Sequence, residues 1–151
     1  MSNSKTEEKI DLSIRQTWHK ISRMYNQKAA QANLTISIGF ILLIVDKEGT
    51  PSTQIGPRMG MEPTSLSRTL KTMEERGYIR RQADKIDKRK VFIFLTDAGV
   101  QQRREVRDIV LAFNEKLRSK IPKGKLKVFF EVMAKIETTV DDELEKIFLS
   151  F

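Results

Sequence analysis

The fold of this chain is decided by one central stretch, residues 62–99, which reads EPTSLSRTLKTMEERGYIRRQADKIDKRKVFIFLTDAG. Its first part predicts a short amphipathic helix, because Leu66, Leu70 and Met73 recur at the spacing that places them on one helical face. Pro63 suits the first position of such a helix, where its missing N–H is not needed. Gly77 suits the end of the helix.

The opposite face and the flanks of this helix are polar. They carry Thr64, Ser65, Ser67, Arg68 and Lys71. Arginine can form forked hydrogen bonds with guanine, and serine or threonine can bond to either kind of base edge. We therefore predict that these residues contact the major groove of DNA. The alternative interpretation is the solvated face of an ordinary surface helix.

A charged hairpin is predicted after the helix. Tyr78–Arg81 and Val91–Leu95 are rich in β-branched and aromatic residues, which is typical of strands. The intervening loop, Gln82–Lys90, is too highly charged to be buried. The excess of basic residues favours a nucleic-acid partner, since residues 58–96 contain ten Lys or Arg and five Asp or Glu. The alternative is a solvated turn with ordinary surface charges.

The tip of this loop is predicted to contact DNA. We expect Arg89 to enter a narrow minor groove and Asp87, two residues earlier, to hold the Arg89 side chain in place. Lys88 and Lys90 are expected to contact phosphates.

The residues upstream predict the remainder of a helix-turn-helix. Thr53–Met59 is expected to be its first helix, with Pro57 inside it, and Gly60–Glu62 the turn. Ile36–Lys47 is apolar nearly all round, which predicts a buried helix. Gly49–Ser52 is predicted to be a turn, with its threonine capping the next helix and its proline as the first helical residue. The fold class is therefore mainly α with a small β-hairpin wing, a winged helix-turn-helix.

The wing resembles that of the MarR family of bacterial regulators. Asp87-Lys88-Arg89, followed by Leu95-Thr96 and Gly99, is similar to the family signature Asp-x-Arg … Leu-Thr-x-x-Gly. Ser65–Arg68 and Met73–Arg81 resemble the recognition helix and first wing strand of the family. The resemblance implies a homodimer that binds a roughly palindromic operator in double-stranded DNA, usually as a repressor released by a small-molecule effector.

Long helices are predicted on both sides of the DNA-binding lobe. Within a single domain of residues 1–151, residues 9–32 and 97–150 are expected to be mainly dimerisation helices, and residues 36–96 the winged lobe. Residues 1–8 are expected to be a frayed end. Three striped helices offer more apolar surface than one chain of this size can bury, so two chains could pool them and place two recognition helices about one DNA turn apart. The alternative is a three-helix bundle in a monomer.

Three arginines lie off the apolar stripe of the helix predicted from Asp97 to about Lys120. They are Arg103, Arg104 and Arg107. We interpret them as solvated charges, or alternatively as a second line of contacts to phosphates.

The composition narrows the classes of function. The net charge of +8 indicates a polyanionic partner. The absence of cysteine excludes disulfides, cysteine-ligated zinc and thiol-based redox sensing. The sequence has no apolar run of membrane-spanning length, and its polar beginning is unlike a secretory signal, so a cytoplasmic protein without a membrane partner is expected.

Side chains for catalysis are scarce, so we expect no enzyme activity, no cofactor and no metal site. His19 is the one histidine, and no metal-ligand spacing surrounds it. The pairs Glu74-Glu75 and Asp141-Asp142 are adjacent in sequence and would point in different directions on a helix. The alternative to a DNA-binding regulator is a winged-helix protein-interaction module without specific DNA binding.

The resemblance also suggests where an effector would bind. In MarR-like dimers, ligands commonly lie between the arms and the DNA-binding lobe. The candidates there are Trp18, His19, Ser22, Tyr25 and Phe40. The simpler interpretation, which we prefer, is that the three aromatic residues belong to the core.

Overall fold

The structure, a computed structural model, describes residues 9–150. The elements in chain order are α1 (Ile10–Gln31), α2 (Ile36–Ile44), β1 (Thr50–Pro51), α3 (Ser52–Met59), α4 (Pro63–Glu75), β2 (Ile79–Ala83), β3 (Val91–Leu95), α5 (Asp97–Lys120) and α6 (Lys123–Leu149). They fall into two compact units, of which the first ends at Ile109 and the second begins at Val110. The single-domain assignment stays a prediction. The predicted frayed end at residues 1–8 lies outside the described residues.

The core of the first unit is built around α2. Thr35 caps this helix, and its hydroxyl oxygen accepts a hydrogen bond from the backbone N–H of Ile38 at 3.3 Å. The largest fully buried apolar side chains come from α2, α3, α4 and β3 and the residue after α2: Ile38, Ile41, Leu42, Val45, Ile55, Met73 and Ile93. Each such side chain contributes about 1.5–3 kcal/mol when it leaves water, so this cluster holds the helices and the sheet together.

α2 ends at Ile44, earlier than the predicted Lys47. Arginine side chains donate hydrogen bonds to the carbonyl groups at this end of the helix. Arg103 donates from Nη1 to the carbonyl oxygen of Val45 at 2.9 Å and from Nη2 to that of Leu43 at 3.1 Å. Arg58 donates to the carbonyl oxygen of Ile44 at 3.2 Å. These carbonyl groups lack partners within the helix, and the guanidinium groups supply them. The interpretation of Arg103 as a solvated charge or phosphate contact was therefore wrong.

The sheet contains three strands, one more than predicted. Its order is β1-β3-β2, with antiparallel pairing throughout. β3 has its predicted bounds, whereas β2 extends to Ala83 instead of ending at Arg81. Thr50 in β1 lies opposite Ile93 in β3. The buried hydroxyl oxygen of Thr50 accepts a hydrogen bond from the N–H of Asp46 at 2.8 Å. The prediction that Thr50 caps α3 and that Pro51 is its first residue was wrong. Both residues pair with β3 instead, and this pairing with a distant strand outweighs their local preference for a helix start.

The helix-turn-helix forms as predicted. α3 begins one residue before the predicted Thr53, includes Pro57 and ends at Met59, and Gly60 after it has a φ of 60°, in the left-handed region. Pro63 is at the start of α4, and Gly77 follows its end with a φ of 73°. Glycine adopts such angles without the steric cost that a Cβ would bring.

A tight junction joins the wing to the start of α5. The side-chain oxygen of Thr96 accepts a hydrogen bond from the N–H of Gly99 at 3.1 Å, and the N–H of Thr96 donates to the carbonyl oxygen of Tyr78 at 3.0 Å. A Cβ at Gly99 would lie 2.0 Å from that same carbonyl oxygen. The backbone therefore requires glycine at this position.

The long helices expose much apolar surface. None of the residues of α1 in the first unit, and none of those of α6 in the second, is buried. The exposed apolar residues of α6 are Val128, Phe129, Phe130, Val132, Val140, Leu144, Ile147, Phe148 and Leu149. No helix within residues 9–150 is long and apolar enough to cross a membrane.

Candidate nucleic-acid interface

The polar face of α4 is exposed. Leu66, Leu70 and Met73 are buried against the core, as predicted. The five residues predicted to contact the major groove are all exposed on the rest of the helix: Thr64, Ser65, Ser67, Arg68 and Lys71. The structure therefore brings the predicted set together on one accessible surface.

The two other threonines of α4 bond to the helix itself. The Thr69 hydroxyl donates to the carbonyl oxygen of Ser65 at 2.9 Å, and the Thr72 hydroxyl donates to that of Arg68 at 3.1 Å. Lys71 lies 3.9 Å from the carboxylate of Glu75, but both side chains are well exposed, so this ion pair holds the lysine only weakly. Arg68 forms no ion pair within the described part of the chain, which leaves its guanidinium group available.

The tip of the wing is ordered by two carboxylates. The Oδ1 atom of Asp84 accepts hydrogen bonds from the N–H groups of Ile86 at 2.7 Å and Asp87 at 3.0 Å. The N–H of Asp84 donates across the loop to the carbonyl oxygen of Lys90 at 2.8 Å. The bonds from Asp87 and Ile86 hold the pKa of the Asp84 carboxyl below its usual value, because they favour its charged form.

Asp87 acts on the backbone of Arg89. Its Oδ1 atom accepts a hydrogen bond from the Arg89 N–H at 3.1 Å, and no ion pair joins the two side chains among the described residues. The contact that the structure shows is therefore with the Arg89 backbone, and a role of Asp87 in holding the Arg89 side chain stays a prediction. Lys88, Arg89 and Lys90 are exposed together at the tip.

Sequence reasoning missed one prominent residue of the tip. Ile86 is 96% exposed beside these cations. The available signal was an isoleucine inside a run of charged residues, where apolar side chains are uncommon.

The base of the wing is fixed to α4. The guanidinium group of Arg81 in β2 lies 3.1 Å from the carboxylate of Glu74 in α4. Arg80 places its guanidinium group 4.3 Å from the centre of the Phe94 ring in β3, a cation–π contact. The first contact joins the wing to α4, and the second joins the two strands of the wing to each other.

A further arginine ties the end of α4 to the turn between α1 and α2. The side chain of Arg76 donates a hydrogen bond to the backbone carbonyl oxygen of Asn33. Asn33 has a φ of 54°, in the left-handed region that asparagine tolerates better than most residues.

Three of the predicted effector residues form an aromatic cluster. The Trp18 and Phe40 rings stack with centroids 6.1 Å apart, and Tyr25 meets Phe40 edge-on at 6.5 Å. Trp18 is 51% exposed, so the assignment of all three to the core was wrong for this residue. Tyr25 and Phe40 are half-buried, and burial raises the pKa of the Tyr25 hydroxyl.

His19 and Ser22 line shallow grooves along α1. The Ser22 hydroxyl oxygen is shielded from solvent and has no hydrogen-bond partner among the described residues. Acidic and histidine side chains form no cluster of three or more that could hold a metal ion in the same part of the chain.

Comparisons with known proteins agree with this geometry. A family model described as MarR family matches residues 34–91. The chain is 37% identical over 82 residues to the HTH-type transcriptional regulator TtmR of Methylorubrum extorquens (strain PA1), which covers 54% of this chain and 42% of that protein. It is 25% identical over 85 residues to the HTH-type transcriptional regulator SarZ of Staphylococcus haemolyticus (strain JCSC1435), covering 56% and 58%. The chain thus spans about half the length of the curated relatives it matches.

The fold is shared with a solved structure. The crystal structure of an S. aureus MepR–DNA complex superposes with a TM-score of 0.80 at 20% identity, over 88% of this chain and 99% of that chain. The winged-helix prediction is thereby confirmed. The relatives are named as transcriptional regulators, in agreement with the expectation that the chain is not an enzyme. The family match over residues 34–91, the sequence relatives and the shared fold all support the MarR family.

Proposed function

We propose that this chain is a sequence-specific regulator of transcription that binds double-stranded DNA, and that it acts as a homodimeric repressor released by a small molecule. The main supporting observation is that the polar face of α4 and the cationic tip of the wing are both exposed while Arg81 and Glu74 join their bases. The net charge of +8 suits a polyanionic partner.

Each element of the interface has a separate role. The side chains of α4 read base edges in the major groove: Thr64, Ser65, Ser67, Arg68 and Lys71. Arg89 enters the minor groove, where a narrow groove strengthens the attraction for a cation. Lys88 and Lys90 contact phosphates, and Asp87 supports the tip through the Arg89 backbone.

A second copy of the chain would cover the apolar helices. None of the described residues of α1 and α6 is buried, and their large aromatic side chains Trp18, Phe129 and Phe130 are each about half exposed. Surfaces of this kind mark interaction sites. A two-fold dimer would repeat α4 along the DNA, so we expect the operator to be palindromic.

The effector is proposed to bind beside the aromatic cluster. The half-exposed Trp18 ring offers a stacking surface, and the Ser22 hydroxyl, which has no hydrogen-bond partner within residues 9–150, offers a hydrogen bond. Phe40 connects Trp18 and Tyr25 to α2, and His19 lines the grooves along α1. A ligand that favours one spacing of the two α4 helices weakens DNA binding reciprocally.

The regulator acts on the chromosome, so we place it in the cytoplasm.

The test is a selection of bound sequences from a random duplex library, with the mass of the free protein measured alongside. We expect an enriched palindrome, the mass of a dimer, and an affinity that falls steeply with salt because counterions are released. A monomer mass would overturn the homodimer. Failure to enrich any sequence, with a flat response to salt, would overturn DNA binding and favour a protein-interaction module.

A further inference from the structure

Ile86 stands out at the tip of the wing. It is 96% exposed, more than any other large apolar side chain in the part of the chain that the structure describes. An isolated exposed apolar residue is ordinary on a protein surface. This one, however, lies in the loop that carries the DNA-binding charges.

The backbone holds Ile86 in a defined position. Its N–H donates to the Asp84 carboxylate at 2.7 Å, and the same oxygen accepts from Asp87 at 3.0 Å. Asp84 is in turn bonded across the loop to the Lys90 carbonyl oxygen at 2.8 Å. A tip ordered in advance loses less conformational entropy when it binds.

The charges around Ile86 define the partner that it fits. Four exposed cationic residues accompany it in the tip: Lys85, Lys88, Arg89 and Lys90. A purely apolar protein groove would have to strip water from these charges, which is costly. The minor groove of DNA supplies phosphates at its rims and sugar C–H groups on its walls. Minor-groove proteins use isoleucine and similar side chains as wedges between base steps.

We propose that Ile86 is a further DNA-contacting residue that enters the minor groove beside Arg89 and favours base steps that open easily. Pyrimidine–purine steps are the most readily unstacked, so Ile86 would add a sequence preference outside the base pairs that α4 contacts. This inference rests on the proposed function, because it requires a DNA complex.

The experiment compares the full-length protein with Ile86→Ser, Ile86→Leu and Lys85→Ala. Each is selected against the same random duplex library, and its affinity for the duplex that the parent enriches most is measured across a range of salt. Ile86→Ser is expected to bind about tenfold more weakly, which corresponds to about 1.4 kcal/mol, and to lose the preference for pyrimidine–purine steps beneath the wing. Ile86→Leu should keep that preference.

The dependence on salt separates an apolar contact from a charged one. Ile86→Ser should leave the salt slope unchanged, whereas Lys85→Ala should reduce it by about one. Urea unfolding serves as the folding control, and the exposed position predicts parental stability for Ile86→Ser.

Two results would overturn the inference while the proposed function stands. Either Ile86→Ser enriches the same sequence with parental affinity, or its loss is accompanied by a reduced salt slope like that of Lys85→Ala. Failure of the parent to enrich any sequence is a different result, because it overturns the proposed function itself.

Discussion

The Nη1 atom of Arg103 lies 2.9 Å from the carbonyl oxygen of Val45 and donates a hydrogen bond to it. The second guanidinium nitrogen donates to Leu43 at 3.1 Å, so one side chain serves two carbonyl groups at the end of α2. The first part of α5 is thereby fixed to the centre of the first unit.

Arg103→Ala is expected to lower the free energy of unfolding by about 1.5–3 kcal/mol, because both carbonyl groups lose a charged donor. Urea denaturation measures this change. Arg104→Ala is the matched control, since Arg104 is the exposed neighbour and its loss should cost less than about 0.5 kcal/mol. Equal effects of the two substitutions would contradict the role of Arg103.

Gly99→Ala is expected to destabilise the protein by about 3 kcal/mol or more, because the added Cβ would overlap the backbone oxygen of Tyr78. Thermal unfolding followed by circular dichroism checks this. Gly124 in α6 is the control, as a Cβ there meets nothing within 4 Å. Gly124→Ala should change stability by less than about 1 kcal/mol. Parental stability of Gly99→Ala would show that the wing and α5 can separate.

Arg89→Ala is expected to weaken DNA binding by about 1–3 kcal/mol and to leave the fold intact, because Arg89 is exposed and forms no structural ion pair within residues 9–150. Fluorescence anisotropy with the selected duplex measures the affinity. Lys127→Ala, which removes one exposed charge from α6, controls for the loss of net charge. If the two variants bind equally well, the assignment of Arg89 to the minor groove fails.

The carboxyl of Asp84 is expected to titrate below the usual aspartate pKa of 3.8, because two backbone N–H groups stabilise its charged form. Since the pKa is lowered in the folded protein, the stabilisation is fully present above the usual value. It is lost as the pH falls through the lowered pKa. The carboxyl carbon signal in a nuclear magnetic resonance titration reports the pKa, and the amide signal of Ile86 reports the bond.

Asp84→Asn provides the control for this titration. Its amide oxygen can still accept a hydrogen bond but does not titrate, so the Ile86 amide signal should stay constant over the same pH range. A carboxyl of Asp84 that titrates at or above the usual value would contradict the observed turn.

Elements decided by neighbouring residues were predicted well from the sequence. The apolar spacing of Leu66, Leu70 and Met73 is sufficient to define both faces of α4, and the burial of these residues agrees. α5 has its predicted bounds from Asp97 to Lys120, because Thr96 provides a local cap.

Features that depend on distant partners were missed. β1 exists because Thr50 pairs with Ile93, and no local pattern identifies that partner. Arg103 looked like a surface charge because its carbonyl acceptors lie far away in the sequence. For Asp87, the spacing in the sequence indicated a contact with the Arg89 side chain, whereas the contact in the structure is with the Arg89 backbone N–H.

The hydrogen bond from Arg76 to Asn33 connects the end of α4 to the turn between α1 and α2. Its acceptor is a backbone oxygen, so a change of side chain at Asn33 does not remove it. Separating the end of α4 from the turn between α1 and α2 would require breaking this bond, whose donor is a charged guanidinium group. The end of α4 and the turn between α1 and α2 are therefore coupled within the first unit.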